Sequence, residues 1–77
     1  MPKIVPINYK ILLKVFEAEG CRGVRHEGSH VVLTKPGIKR PVVIPTYDQI
    51  PVFIIKNCLR TAGISRDRYL ELIGQLR

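Results

Sequence analysis

The spacing of apolar residues along the chain predicts three helices. Apolar positions recur with helical periodicity in three segments, at residues 9–19, 51–62 and 66–76. Asn8 and Ser65 precede the first and third segments and are favourable N-caps, because their side-chain oxygens accept hydrogen bonds from a first helical turn. Gly20 and Gly63 follow the first two segments, at the left-handed position that commonly ends a helix.

Three short runs between the first two helices predict strands, at residues 21–26, 30–35 and 40–44. Glu27-Gly28-Ser29 and Pro36-Gly37 separate these runs as turns. Connections this short favour an antiparallel meander. The order α-β-β-β-α-α therefore predicts an α+β fold with two layers, in which the helices cover one face of a three-stranded sheet. The other face is left for solvent or a ligand.

The helical stripes also predict the core. We expect one domain over residues 1–77, with residues 1–7 as a loose lead-in to the first helix. The apolar stripes comprise Leu12, Val15 and Phe16 in the first helix, Ile55, Cys58, Leu59 and Ala62 in the second, and Tyr69, Leu72, Ile73 and Leu76 in the third.

The charge of the chain indicates a polyanionic partner. Thirteen Lys and Arg residues against six Asp and Glu give a net charge of +7 on 77 residues. Nucleic acid is the commonest partner of so basic a small domain, while the alternative is a charge that serves solubility alone. No signal peptide and no apolar run of membrane-spanning length is found, so we expect a cytoplasmic protein without a membrane partner.

Metal and cofactor sites are not indicated. Cys21 and Cys58 are far apart and lack histidine partners at metal-ligand spacing, so buried, reduced thiols are expected. The acidic residues are scattered, which argues against two-metal nuclease chemistry. His26 and His30 supply two ligands, too few to complete a zinc site.

The string Arg25-His26-Glu27-Gly28-Ser29-His30 contains the candidate chemistry. In a hairpin with this turn, Arg25 and His30 can lie close across the ladder. A histidine can take a proton from a ribose 2′-hydroxyl or give one to a leaving oxygen, and an arginine can hold the phosphate. Together they could cleave RNA without a metal, whereas DNA lacks the required hydroxyl. The competing interpretation is an exposed or structural histidine.

Basic residues around the second turn are candidates for phosphate contacts. Lys35, Lys39 and Arg40 flank Pro36-Gly37 and could bind phosphates with little sequence preference. The competing interpretation is a solvated, charged surface. Tyr47, in a loop beside the sheet, could stack on a base.

Four motifs occur in an order and spacing that resembles the HicA (YcfA-like) toxin family. They are Gly20-Cys21, Arg25-x-x-Gly28-Ser29-His30, Ile44-Pro45 and Leu59-x-x-Ala62-Gly63-Ile64. The resemblance implies a double-stranded-RNA-binding-domain-like fold and an mRNA interferase, that is, a metal-independent endoribonuclease toxin neutralised by a HicB-type antitoxin. It implies His30 as the catalytic residue. We expect Arg25, Gly28 and Ser29, which lie near His30 in the hairpin, to contact the RNA.

The chain departs from the pattern of this family at three places. Tyr47 stands where the family often has a histidine, Cys21 where it usually has a large aromatic residue, and Phe53-Ile54-Ile55 where it often has Gly-Thr-Leu. We expect these differences to affect RNA or antitoxin binding more than the fold.

Two other functions stay open at this point. One is a non-catalytic RNA-binding module on the same fold, and the other is a protein-interaction subunit that acts only through its partner. For the toxin, we expect a monomer or small oligomer in complex with its antitoxin.

Overall fold

The computed structural model describes residues 3–76 and confirms the predicted α+β fold and its element order. Residues 1, 2 and 77 of the predicted domain lie outside this range. The elements are helix α1 (Tyr9–Ala18), strands β1 (Arg22–Glu27), β2 (His30–Thr34) and β3 (Val42–Pro45), and helices α2 (Val52–Ala62) and α3 (Arg66–Leu76). The described helices have 10 or 11 residues, and none combines the length and apolar character that crossing a membrane requires.

The three strands form one antiparallel sheet with β2 in the centre. The first strand differs from a regular ladder at one point, because Gly23 pairs with Leu33 and Arg25 with Val32. Val24 is therefore an extra residue between two pairs, as in a β-bulge. From the bulge to the turn the register is regular, and it ends with Glu27 opposite His30.

The core fills the space between the helices and one face of the sheet. On β2, Val31 and Leu33 are buried while His30 and Thr34 are exposed, as expected of a sheet covered on one side. All the residues predicted as buried in α1 and α2 are buried. In α3, Tyr69 and Leu72 are buried as predicted and Ile73 is partly buried, whereas the prediction is wrong for Leu76, which is 42% exposed because the last turn of the helix extends past the core.

The segment before α1 is more ordered than the predicted lead-in. Ile7 is buried and forms an isolated antiparallel bridge with Ile50, whose amide donates to the Ile7 carbonyl at 2.7 Å. The Tyr9 amide donates to the Tyr47 carbonyl at 3.1 Å. These bonds fasten the start of α1 to the loop that follows β3.

The helix ends follow the predicted caps. The Asn8 side chain accepts from the Lys10 amide, and the Ser65 hydroxyl accepts from the Arg68 amide. Gly63 ends α2 with a φ of 72°, a conformation that costs glycine little. Arg68 donates from Nε to Glu19 at 2.5 Å and also pairs with Glu71, and these hydrogen bonds raise the pKa of its guanidinium. They join the end of α1 to α3.

Candidate functional site

A two-residue turn at one end of the sheet presents His30. Gly28, the first turn residue, has a φ of 53°, and no described residue other than glycine has positive φ. This is the pattern of a type II′ hairpin turn, which requires glycine at its first central position. The Ser29 carbonyl accepts from the Thr46 amide at 2.9 Å, so the turn is also fastened to the chain just after β3.

The side chain of His30 is exposed on the sheet face that the helices leave uncovered. We call this the open face, and it carries Arg22, Arg25 and Glu27 of β1, His30, Val32 and Thr34 of β2, and Val43 and Pro45 of β3. The Nδ1 atom of His30 lies 3.3 Å from the Ser29 hydroxyl oxygen. Within residues 3–76 the Nε2 atom has no hydrogen-bond partner, so it is available to a ligand.

Arg25 is not the cross-strand partner of His30. It pairs with Val32, and its Nε lies 3.3 Å from Oε1 of Glu27, with both side chains more than half exposed. Arg25 is therefore a diagonal neighbour of His30 on the open face, at a Cβ separation of about 7–8 Å. The bond to Glu27 directs the guanidinium along β1.

The residue directly opposite His30 is Glu27, which sequence reasoning had assigned to the turn. A two-residue turn at Gly28 and Ser29 necessarily pairs the residues on either side of it, so the signal was present in the sequence. The open face thus brings together an imidazole, a carboxylate and a guanidinium.

His26 is not part of this group. It pairs with Val31, whose side chain faces the helices, so the two histidines lie on opposite faces of the hairpin. Tyr47, by contrast, follows Thr46 at the His30 end of the sheet and is 48% exposed. Its ring is therefore accessible for stacking at this end.

The predicted phosphate-binding residues lie at the other end of the sheet. Lys35 follows β2, and Lys39 and Arg40 precede β3, whereas His30 begins β2. The length of a five-residue strand separates the two ends by about 15 Å. These three residues therefore do not join His30, Gly28 and Ser29 in one cluster.

A basic groove lies between the start of β3 and α2. Its volume is about 420 Å³, and its polar lining comes from Arg40, Asn57, Arg60 and Thr61. A neighbouring cavity of about 360 Å³ shares Arg40, Arg60 and Thr61 and adds Lys39. No described acidic side chain pairs with Lys39, Arg40 or Arg60. The sequence alone did not place Arg60 in this groove, because the packing of α2 against β3 is a tertiary contact.

Both cysteines are free and buried. Burial raises the pKa of the Cys58 thiol to about 11 and is also the main cause that raises the pKa of Cys21. The Cys58 Sγ donates to the Val43 carbonyl at 3.5 Å, which links α2 to β3 beside the groove. Over residues 3–76, no three His, Cys, Asp or Glu side chains are grouped closely enough to hold a metal ion.

Comparison with known proteins identifies one family. A family model described as the HicA toxin of bacterial toxin-antitoxin systems matches residues 9–64, from the first residue of α1 to just beyond α2. The match includes the hairpin with His30 and the basic groove, and α3 lies outside it. No curated protein and no solved structure gives a significant match.

Proposed function

The chain belongs to the HicA toxin family of bacterial toxin-antitoxin systems, and on that premise we propose that it is a metal-independent endoribonuclease. Its substrate is mRNA, its catalytic residue is His30, and its inhibitor is a HicB-type antitoxin. The observation that carries the proposal is the placement of His30, whose exposed ring is oriented by Ser29 through Nδ1 and offers Nε2 to a ligand.

The groups on the open face suit cleavage through the ribose 2′-hydroxyl. An imidazole that transfers a proton in the transition state contributes about 10²–10⁴ in rate. Arg25, two positions from Glu27 on the same strand, supplies a guanidinium that stabilises the charge of the reacting phosphate. RNA supplies the internal nucleophile and DNA does not, so the proposed reaction is specific for RNA.

The basic groove supports the RNA-binding part of the proposal. Lys39, Arg40 and Arg60 present three cations about one strand length from His30, on a chain with a net charge of +7. Lys35 adds a fourth cation in the connection between β2 and β3. An RNA strand bound there is held through its phosphates, with an affinity that depends on salt.

The antitoxin acts, in this proposal, by covering the open face and with it His30. The face is uncharged on β3 and exposes Val43, while Tyr47 is exposed at the adjoining end. The complex is a toxin monomer or small oligomer with its antitoxin, and its place of action is the cytoplasm, where mRNA is translated.

A non-catalytic RNA-binding module is the second candidate, and one observation favours it. The basic groove is separated from His30 by the length of β2, so RNA binding there does not require the histidine. This candidate predicts salt-dependent RNA binding without cleavage.

The deciding experiment is cleavage of RNA by the purified protein in the presence of EDTA. The wild-type protein is compared with His30→Ala and with the matched control His26→Ala, which removes the other exposed histidine, from the opposite face. We expect cleavage by the wild type and by His26→Ala but not by His30→Ala. Absence of cleavage by all three proteins would contradict the enzyme and favour the binding module. Equal cleavage by all three would exclude His30 as the catalytic group.

A further inference from the structure

Glu27 is an exposed carboxylate in the one position of the hairpin that faces His30 directly. The two residues are ladder partners on either side of the Gly28-Ser29 turn, and both side chains stand on the open face. Cross-strand partners have Cβ atoms about 4.5–5.5 Å apart. The two functional groups therefore stand next to each other above the sheet, where both can reach one bound phosphodiester.

Two neighbouring side chains hold the carboxylate of Glu27 at this position on the open face. Arg25 lies 3.3 Å from its Oε1 atom on the same strand, and His30 faces it from β2. The third strand contributes no charged side chain, since β3 contains only Val42, Val43, Ile44 and Pro45. Arg25 and His30 are therefore the titratable or charged groups next to Glu27 on the sheet, while Arg22 lies on the same face at the far end of β1.

The ion pair between Arg25 and Glu27 contributes little to the stability of the fold. Both side chains are more than 60% exposed, and the two residues are neighbours on one strand, so their bond joins no separate elements. Exposed pairs of this kind contribute little to stability. A carboxylate with this placement is better explained by what it does to a bound group.

We propose that Glu27 is the second acid-base group of the active site, a proposal that rests on the ribonuclease function proposed above. The Glu27 carboxylate takes the proton of the ribose 2′-hydroxyl while O2′ forms a bond to phosphorus. The bond between phosphorus and O5′ breaks, and the His30 imidazolium gives its proton to O5′. The products are a 2′,3′-cyclic phosphate and a 5′-hydroxyl end. Protons and electron pairs balance without a metal or any further reactant.

The division of roles follows from the chemistry of the two side chains. A carboxylate only accepts a proton and an imidazolium only donates one, so the pair can act at the same time on the entering and the leaving oxygen. Arg25, diagonal to His30, is the donor that completes the binding of the phosphate oxygens.

The test compares the wild-type protein with Glu27→Gln, Glu27→Asp and the control Glu17→Gln, which removes an exposed carboxylate from α1. Cleavage is measured in EDTA over a range of pH. We expect Glu27→Gln to lower kcat about 10²-fold or more with little change in KM. It should also remove the rise of kcat with pH that a general base produces, while Glu27→Asp restores part of the rate. Glu17→Gln should match the wild type, and all variants should keep the wild-type melting temperature.

The outcomes separate this inference from the proposed function. If Glu27→Gln cleaves within about twofold of the wild type and keeps the pH profile, while His30→Ala is inactive, the inference is overturned and the ribonuclease stands. If the wild type itself does not cleave RNA, both fall together. A Glu27→Gln variant that is more active than the wild type would also overturn the inference, because it would show that the carboxylate only competes with RNA for Arg25.

Discussion

The two short connections between the strands of the sheet lie next to different functional groups. Each contains a glycine with positive φ, Gly28 in the β1–β2 turn and Gly37 in the β2–β3 connection. At the first lie a histidine, a carboxylate and a guanidinium within one or two ladder positions, whereas at the second the charged groups are all basic. The end with mixed charge can move protons, while the basic end can only attract phosphate. The comparison teaches that the net charge of a small domain does not locate the residues that we propose for catalysis.

The largest expected effect comes from a substitution at the His30 end of the sheet, which should lower kcat and leave RNA binding at the basic end unchanged. His30→Ala should lower kcat about 10²–10⁴-fold, because it removes the proton-transfer group. RNA affinity at fixed pH should stay near that of the wild type, since the basic groove is untouched. Single-turnover cleavage and fluorescence anisotropy measure the two quantities. A parallel loss of affinity would mean that the two ends are not separate.

Substitutions at the basic end of the sheet should have the opposite effect, weakening RNA binding without changing kcat. Arg40→Ala combined with Arg60→Ala should weaken RNA binding by about tenfold, the effect of two exposed ion pairs of up to about 1 kcal/mol each. The slope of log affinity against log salt should fall by about 1.4 for single-stranded RNA. At saturating RNA, kcat should be unchanged. The double variant Lys10→Ala with Lys14→Ala removes the same charge from the exposed side of α1 and should have little effect.

A glycine substitution at each connection sharpens the comparison further. Gly28→Ala and Gly37→Ala should each lower the free energy of unfolding by about 1 kcal/mol, because alanine is strained at positive φ although neither site is crowded. Only Gly28→Ala should also reduce cleavage, since its turn sets the pairing of Glu27 with His30. Urea unfolding and a cleavage assay test this, and equal activity of the two variants would contradict it.

The smallest effect concerns the thiol beside the groove. Cys58 has a pKa raised by burial from 9.0 to about 11, so the folded state favours its protonated form. Its contribution to stability is complete below pH 9 and is lost as the pH rises from there through about 11. The melting temperature should fall over this range, and less so in Cys58→Ser, whose hydroxyl can still donate to the Val43 carbonyl. An identical decline in both proteins would show that other groups cause it.

Local signals in the sequence were sufficient to predict the helices and strands. The apolar stripe of α2 predicted Ile55, Cys58, Leu59 and Ala62 as buried, and all four are. The caps at Asn8 and Ser65 also form as expected. These features depend on residues within one or two helical turns, where spacing and side-chain chemistry determine the outcome.

Non-local features were harder to predict. The bridge between Ile7 and Ile50 joins residues more than forty positions apart, and nothing in a lead-in containing two prolines indicates it. The basic groove depends on where α2 lies against β3, so Arg60 could not be assigned to it. The pairing of Glu27 with His30 was deducible from the turn, whereas the bulge at Val24 was not predicted, although glycine inside a strand, here Gly23, often marks one.

The exposed character of β1 has a consequence for the timescale on which the proposed catalytic group is assembled. All six of its residues are exposed, and the strand packs mainly on β2. Backbone amides in so lightly packed an edge strand are expected to exchange with deuterium through local opening, well below the free energy of global unfolding. His30, on the central strand, belongs to the slowly exchanging part. Each opening of β1 would therefore carry Arg25 and Glu27 away from the histidine, and a partner bound across both strands would hold them closed.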